Sequence, residues 1–504
     1  MGVDAGSRTR TAPRERLAQA QTGVEGLDDI LSGGLSVERL YLVEGEPGSG
    51  KTTLAMQFLL EGARQGEPVL YVTLSESAEE LRGVAASHGW SLDGVSVREL
   101  VPSEESLRPE DMYTMFHPSE VELGETTRAI LSEVERIQPT RVVFDSLSEL
   151  RLLAGNALRY RRQILALKQF FAGRCCTVLL LDDKTSTEND LQVKSIAHGV
   201  ILLEQLSPDY GSDRRRLRVV KYRGVAFRGG YHDFIIRRGG LAVFPRLVAR
   251  EHQDARIHEK LPSGISQVDD LLGGGIERGT STLIAGAAGT GKSTLAAGFA
   301  WAAAERGQNV AMFTFDEGLG TLLTRTAGLG MDLQKHLDNG RLTLQQVDPA
   351  ELSPGEFIHA VRQAVEARQS VVVVIDSLNG YLNAMPGERF LVIQLHELLS
   401  YLGQARVATI LVSAHHGLIG NQMISPVDAS YLADAVILMR YFEAEGEVRQ
   451  AISVMKKRGG AHERSIREFR MDNGHILVGP PLREFRGVLT GVPIFEGKSR
   501  SPRP

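Results

Sequence analysis

The feature that most constrains this chain is an internal repeat: residues 22–55 align without a gap onto residues 263–296, with 14 of 34 positions identical. Self-similarity of this kind means one structural unit made twice. Each copy opens with a Gly/Asp-rich lead-in, Gly23, Asp28, Asp29, Gly33 and Gly34 in the first and Gly264, Asp269, Asp270, Gly274 and Gly275 in the second. A short apolar strand follows (LYLVEG; STLIAG), then a glycine loop, an apolar-periodic helix and a further strand (PVLYVTL; NVAMFTF). The later runs RVVFDSL, CTVLLLDD, VVVVIDSL and ATILVSA are nearly continuous in apolar residues, as parallel strands covered by helices on both faces require. The expected fold class is therefore α/β: two tandem domains, each a mostly parallel sheet with helices on both faces.

A length of 504 residues accommodates two such domains, which typically take 100–200 residues each. The polar stretch 249–260 (AREHQDARIHEK) breaks the apolar periodicity, so we read 17–248 and 261–495 as domains, 249–260 as a linker, and 1–16 and 496–504 as flexible tails. Lys plus Arg number 57 against 62 for Asp plus Glu, a net charge of -5, which speaks against a protein built to coat nucleic acid. The two cysteines, Cys175 and Cys176, are adjacent; they read as small buried hydrophobes in a reduced, cytoplasmic chain. No run of 18 apolar residues occurs, so no membrane partner is expected.

The chemistry is carried by two loops, Gly45–Thr52 (GEPGSGKT) and Gly286–Ser293 (GAAGTGKS). Both match G-x-x-x-x-G-K-[ST], and each follows a strand and opens a helix. Glycines let backbone N–H groups close around phosphates, the lysine reaches the terminal phosphates, and the hydroxyl ligates Mg²⁺. The expected nucleotide contacts are Gly48, Ser49, Gly50, Lys51, Thr52 and Thr53, and Gly289, Thr290, Gly291, Lys292, Ser293 and Thr294. Asp145 and Asp376 end apolar strands 94 and 84 residues beyond their lysines. A carboxylate there would hold Mg²⁺ together with Thr52 or Ser293, or would cap the helix that follows. An acidic, Pro-containing surface excursion at Val101–Glu125 would account for the longer first spacing.

Ser75-Glu76 and Asp316-Glu317 follow the second strand of each copy. Glu76, Asp316 and Glu317 are candidates to deprotonate an attacking water or hydroxyl; the competing reading is ordinary first-turn helix acid. Lys221 and Arg223, and Lys456 and Arg458, recur on a late strand of each copy, where they would serve phosphate across a subunit boundary or form a solvated basic strand. His415-His416 would be a polar sensor near the γ-phosphate. The run Arg214–Arg218 (RRRLR) reads as a solvated hairpin rather than a nucleic-acid contact.

These motifs, with the stretch LADAVILMRYFEAEGEVRQAISVMKKRGGAHERSIREF, resemble the KaiC family of double-domain, RecA-like ATPases over about residues 17–495. The resemblance implies two RecA-like domains, ATP and Mg²⁺ as ligands, an ATP-dependent homohexamer, signalling partners, slow hydrolysis in the first domain and autokinase activity in the second. It places the trans-acting basic residues on Lys221, Arg223, Lys456 and Arg458, and the phosphoacceptor on Ser430. The family's consecutive glutamates fall on Ser75-Glu76 and Asp316-Glu317, and its Ser-Thr acceptor pair on Ser430-Tyr431. The competing classes are a recombinase-like DNA-remodelling ATPase and a nucleotide-gated scaffold.

Overall fold

The computed structural model describes residues 18–100, 118–184, 191–208, 211–248, 259–383, 391–414, 431–472, 474–490 and 494–495. Contacts divide the chain into two compact units, one from residues 1–207 and 213–246, the other from 208–212 and 247–504.

Each unit is built on a nine-stranded sheet. In the first, the P-loop strand Leu40–Gly45 lies between Thr177–Asp183 and Gly199–Leu206, all three parallel. Beyond Thr177–Asp183 follow the parallel strands Arg141–Asp145, Val69–Thr73 and Val95–Glu99. Beyond Gly199–Leu206 the sheet turns antiparallel through Arg214–Tyr222, His232–Arg237 and Gly240–Phe244. The second unit repeats this order: Ser281–Gly286 is flanked by Ala408–Ala414 and Ala435–Ala444, with Val372–Asp376, Val310–Thr314 and Leu342–Gln346 on one side. Its antiparallel side is Glu447–Lys457, Ile466–Asp472 and His475–Pro481.

The continuous apolar runs are explained by the two core layers of each sheet. Leu40, Leu42, Val142, Phe144, Val178 and Leu180 pack on one face. Their neighbours Tyr41, Val43, Val143, Leu179 and Leu181 pack on the other. Strand side chains alternate between faces, so a strand covered on both sides must be apolar at every position. The helix Lys51–Arg64 supplies Leu54, Phe58 and Leu59 to one layer; Pro118–Ile137 and Ala157–Phe171 supply Ile130, Val134, Ile164 and Leu167 to the other. Burying each such side chain stabilises the fold by roughly 1.5–3 kcal/mol.

Three expectations are corrected in detail. Cys176 is buried and its thiol donates to the Pro139 carbonyl, but Cys175 is exposed. The expected excursion at Val101–Glu125 ends early, because a helix begins at Pro118; residues 101–117 lie outside the described residues. Arg214–Tyr222 is a strand of an antiparallel hairpin, and its charges are partnered within the unit: Arg216 pairs with Glu204 at 2.7 Å, and the Arg216 and Arg218 guanidinium groups lie 4.1 and 5.1 Å from the Tyr231 ring centre.

One buried imidazole makes part of the first unit's stability depend on pH. His232 is 1% exposed; its Nδ1 accepts from the Arg246 N–H at 2.9 Å, so its Nε2–H donates to the Arg228 carbonyl at 3.0 Å. Both nitrogens are engaged as a neutral ring requires, and burial pushes the pKa down to about 4. The unfolded ring takes up its proton near pH 6.5 and the folded one only near 4. Its contribution is thus complete above pH 6.5 and is lost as pH falls towards 4, by up to about 3 kcal/mol. Histidine-ring NMR of the intact chain, assigned with His232→Gln, is expected to find this ring still neutral at about pH 5.5. Titration between about pH 6 and 7 would contradict the assignment.

Candidate nucleotide sites

Each glycine loop leaves its strand at the carboxyl edge of the sheet and enters a helix through a left-handed glycine. Gly50 has φ 97° and Gly291 has φ 94°, immediately before helices Lys51–Arg64 and Lys292–Glu305. A Cβ at Gly50 would also lie 2.8 Å from Ile236 Cδ1. Only glycine adopts this turn without strain, and the turn points the helix's first N–H groups, which have no partner within the helix, at an anion. Gly48, Ser49, Thr53, Gly289, Thr290 and Thr294 lie in the same loops and first helical turns. The Ser49 hydroxyl is buried without a hydrogen-bond partner among the described residues, as a donor awaiting phosphate would be.

In the first site the Lys51 ammonium is held by the Gly45 and Glu46 carbonyls at 2.9 and 3.0 Å and by Asp183 Oδ1 at 2.8 Å. Thr52 Oγ1 donates to Asp145 Oδ2 at 3.0 Å, and the Tyr71 hydroxyl donates to the same oxygen at 2.5 Å. Burial raises the Asp145 pKa against these two bonds. Asp145 does not cap the next helix, whose N-cap is Ser146. Glu76 precedes the N-cap Ser77, so it is not first-turn acid; that place belongs to Glu79 and Glu80. One Glu76 carboxylate oxygen is buried without a hydrogen-bond partner among the described residues. Burial, and secondarily the charge of Asp145, raises its pKa.

The second site has the same frame and different electrostatics. Lys292 Nζ donates to the Ala287 carbonyl at 2.7 Å, and burial lowers its pKa against the attraction of Asp376. Ser293 hydrogen-bonds Asp376, whose pKa is pushed up to about 6 by burial and then by the charges of Glu317 and Asp316, against Ser293 and Arg325. Asp316 accepts from the Ser377 hydroxyl. Glu317 takes two bonds from the Arg325 guanidinium, at 3.0 and 2.7 Å, and the third nitrogen of that group donates to Thr294 Oγ1 at 2.5 Å. Asp316 and Glu317 also precede the N-cap, here Gly318.

The basic pairs lie elsewhere. Lys221 is opposite Val200, one residue from the Gly199 that pairs with Tyr41, whereas Gly45 pairs with Leu203. They therefore sit towards the amino end of the sheet, about 10 Å of strand below the glycine loop. Lys221 donates to the carbonyls of Lys194, Ser195 and Ala197, and Arg223 to that of Ser195. Lys456 reaches the Ala433 carbonyl; Arg458 reaches that of Tyr431 and pairs with Asp434. Arg223 and Arg458 lie just beyond the strands, which end at Tyr222 and Lys457. Lys456 is likewise opposite Val436, whereas Gly286 pairs with Met439, so the second pair also sits below its own domain's phosphate loop. Ser430 and His415-His416 lie outside the described residues.

Three residues near the loops escaped sequence reasoning: Tyr71, Asp183 and Arg325. Setting the copies side by side reveals them, since strand register places Tyr71 where the second copy has Met312, and Asp183 where it has Ala414. Counting from the acidic position, Arg325 falls where the first copy has Val84.

The doubled loop, each with its lysine, hydroxyl and buried carboxylate at one sheet edge, defines the class: a tandem P-loop ATPase with two RecA-like domains. The sequence matches the KaiC ATPase family over residues 20–248 and again over 261–483, and the chain belongs to that family. It is similar to the circadian clock protein KaiC3 of Synechocystis sp., 26% identical over 97% of both chains. It is also similar to the circadian clock oscillator protein KaiC of Synechococcus elongatus, 26% identical over 97% of this chain and 94% of that one. No helix among the described residues is long and apolar enough to cross a membrane.

Asp183 pairs with the ammonium that a phosphate in this loop would reach. In a chain carrying Lys292→Ala, so that only the first site reports, Asp183→Ala is expected to bind ATP about five-fold tighter by calorimetry, the scale of a partly exposed ion pair. Unchanged or weaker binding would show that the lysine is not competed for.

Proposed function

We propose that the protein is a self-assembling, double-domain ATPase in which both domains take Mg²⁺-ATP, and in which the second domain also transfers a phosphoryl group to Ser430. The observation that carries this reading is the double recurrence of a lysine, a hydroxyl and a strand-end aspartate around a helix-opening glycine. In this reading residues 17–248 and 261–495 are the two ATPase domains, joined through 249–260. Mg²⁺, when bound, would supply positive charge to the terminal phosphates; Thr52 with Asp145, and Ser293 with Asp376, would hold it. The fit is chemical: a hydroxyl and a buried carboxylate already hydrogen-bonded to each other, with the carboxylate's pKa raised by burial, offer the hard oxygen donors this cation prefers.

The chain's own residues do the rest. Lys51 and Lys292 neutralise the terminal phosphate, while the loop N–H groups orient it. Glu76 in the first site, and Asp316 or Glu317 in the second, accept the proton of the attacking water or hydroxyl. Lys221 and Arg223, with Lys456 and Arg458, serve a neighbouring subunit's phosphates, which their distance from their own loops supports. Assembly of like chains then completes each site, and phosphorylation state would make the protein a signalling or timing switch, as the names of its relatives suggest. A DNA-remodelling role is disfavoured by the internal pairing of the Arg214–Arg218 charges and by the net charge of -5.

Loss of an arginine finger costs about 10³–10⁵ in rate with the P-loop intact. Arg458→Ala, tested in a Lys51→Ala chain, is therefore expected to bind ATP and to lose nearly all turnover, as read by phosphate release; full turnover in monomeric protein would overturn the shared site. Incubation with γ-labelled ATP is expected to label wild type but neither Ser430→Ala nor Lys292→Ala. Equal labelling of Ser430→Ala would move the acceptor elsewhere, and an unlabelled wild type would leave an ATPase without kinase activity.

A further inference from the structure

The acidic position after the second strand is filled by glutamate in both domains, in opposite states. Glu76 has a buried oxygen with no hydrogen-bond partner among the described residues. Glu317 has both oxygens bonded to one guanidinium. The difference comes from a single position eight residues on, two turns along the following helix, which is Val84 in the first copy and Arg325 in the second. Val84 packs on the core. Arg325 ties the strand end to the phosphate-loop helix, because its remaining nitrogen donates to Thr294, the residue after Ser293.

A carboxylate forked by arginine is fixed in position and charge-compensated. To take a proton from water it must give up a charge-assisted bond, which a free carboxylate need not do. Asp316 has a different constraint: among the described residues its hydrogen-bond donor is the Ser377 hydroxyl. It is one methylene shorter than glutamate and lies on the same strand end.

We propose that Arg325 is a positioning residue that withholds Glu317 from proton transfer, so that hydrolysis in the second site relies on Asp316 while the first site uses Glu76. This rests on the reading that both sites turn over ATP, and it decides which of the two acids serves the second. Released from Arg325, Glu317 accepts one proton of the attacking water as its oxygen bonds to the γ-phosphorus. The bond from that phosphorus to the β,γ-bridging oxygen breaks, and its electron pair leaves with ADP. Arg325 thereby slows water attack in the domain where ATP must survive to phosphorylate a hydroxyl.

The test uses the full chain carrying Lys51→Ala, so that phosphate release with Mg²⁺-ATP reports the second site alone. Arg325→Val, which installs the first domain's residue, is expected to raise kcat about ten-fold, part of the hundred-fold or more that a well-placed base contributes. KM is expected to stay within about two-fold, since Lys292, Ser293 and the loop N–H groups are kept and only the bond from Arg325 to Thr294 is lost. Arg325→Lys keeps the charge but cannot fork both oxygens, and its kcat is expected to fall between the two. Adding Glu317→Gln to Arg325→Val should abolish the gain. An unchanged or lower kcat in Arg325→Val, or a gain that survives Glu317→Gln, overturns the proposal. Failure of the underlying reading looks different: the Lys51→Ala chain would then show no turnover that Lys292→Ala removes.

Discussion

The structure depends on a carboxylate placed where the surrounding chemistry opposes it. Asp145 and Asp376 close strands whose other residues are almost all apolar, and each is about 7% exposed. Removing a charge from water costs several kcal/mol unless partners replace the lost hydration. The partners here are few: a hydroxyl from the first helical turn in each domain and, in the first alone, the phenol of Tyr71. The arrangement is stable because the sheet beneath is packed on both faces. Burial outweighs these partners and raises the pKa of both carboxylates.

The same frame carries two electrostatic programmes. In the first domain the phosphate lysine already has an anionic partner in Asp183, and one buried Glu76 oxygen has no hydrogen-bond partner among the described residues. In the second, the position of Asp183 is Ala414, Lys292 is held by a backbone carbonyl, and the cation has moved to Arg325 beside Glu317. Other first-domain charges serve the scaffold. Arg141, 1% exposed, pairs with Glu67, lies over the Phe58 ring and donates to the Gln21 and Phe58 carbonyls, fastening the lead-in to the phosphate-loop helix. The second copy has Val372 there. Duplication preserved the backbone and the loop while single side chains reset the charge balance around each phosphate.

Much of this was legible in the sequence. Apolar runs such as RVVFDSL announced strands covered on both faces, and the glycine loops announced themselves by residue type and spacing. The position of the basic pairs was legible only as a late strand; it took the pairing of Lys221 with Val200 to show that they sit away from their own loop. Asp183 was hidden because it ends an unremarkable strand, CTVLLLDD, and only the Gly45–Asp183 register puts it beside Lys51. Arg325 was hidden because nothing in one copy marks a residue two helical turns past an acid as its partner. Such pairings are made by strand order and helix direction rather than by adjacency in the chain.

The central claim is that one chain holds two functional, unlike nucleotide sites, and equilibrium titration of the intact protein with a hydrolysis-resistant Mg²⁺-ATP analogue tests it most directly. The expected result is two nucleotides per chain with two distinguishable affinities, one removed by Lys51→Ala and the other by Lys292→Ala. A single nucleotide per chain, or two sites that cannot be told apart, would contradict it.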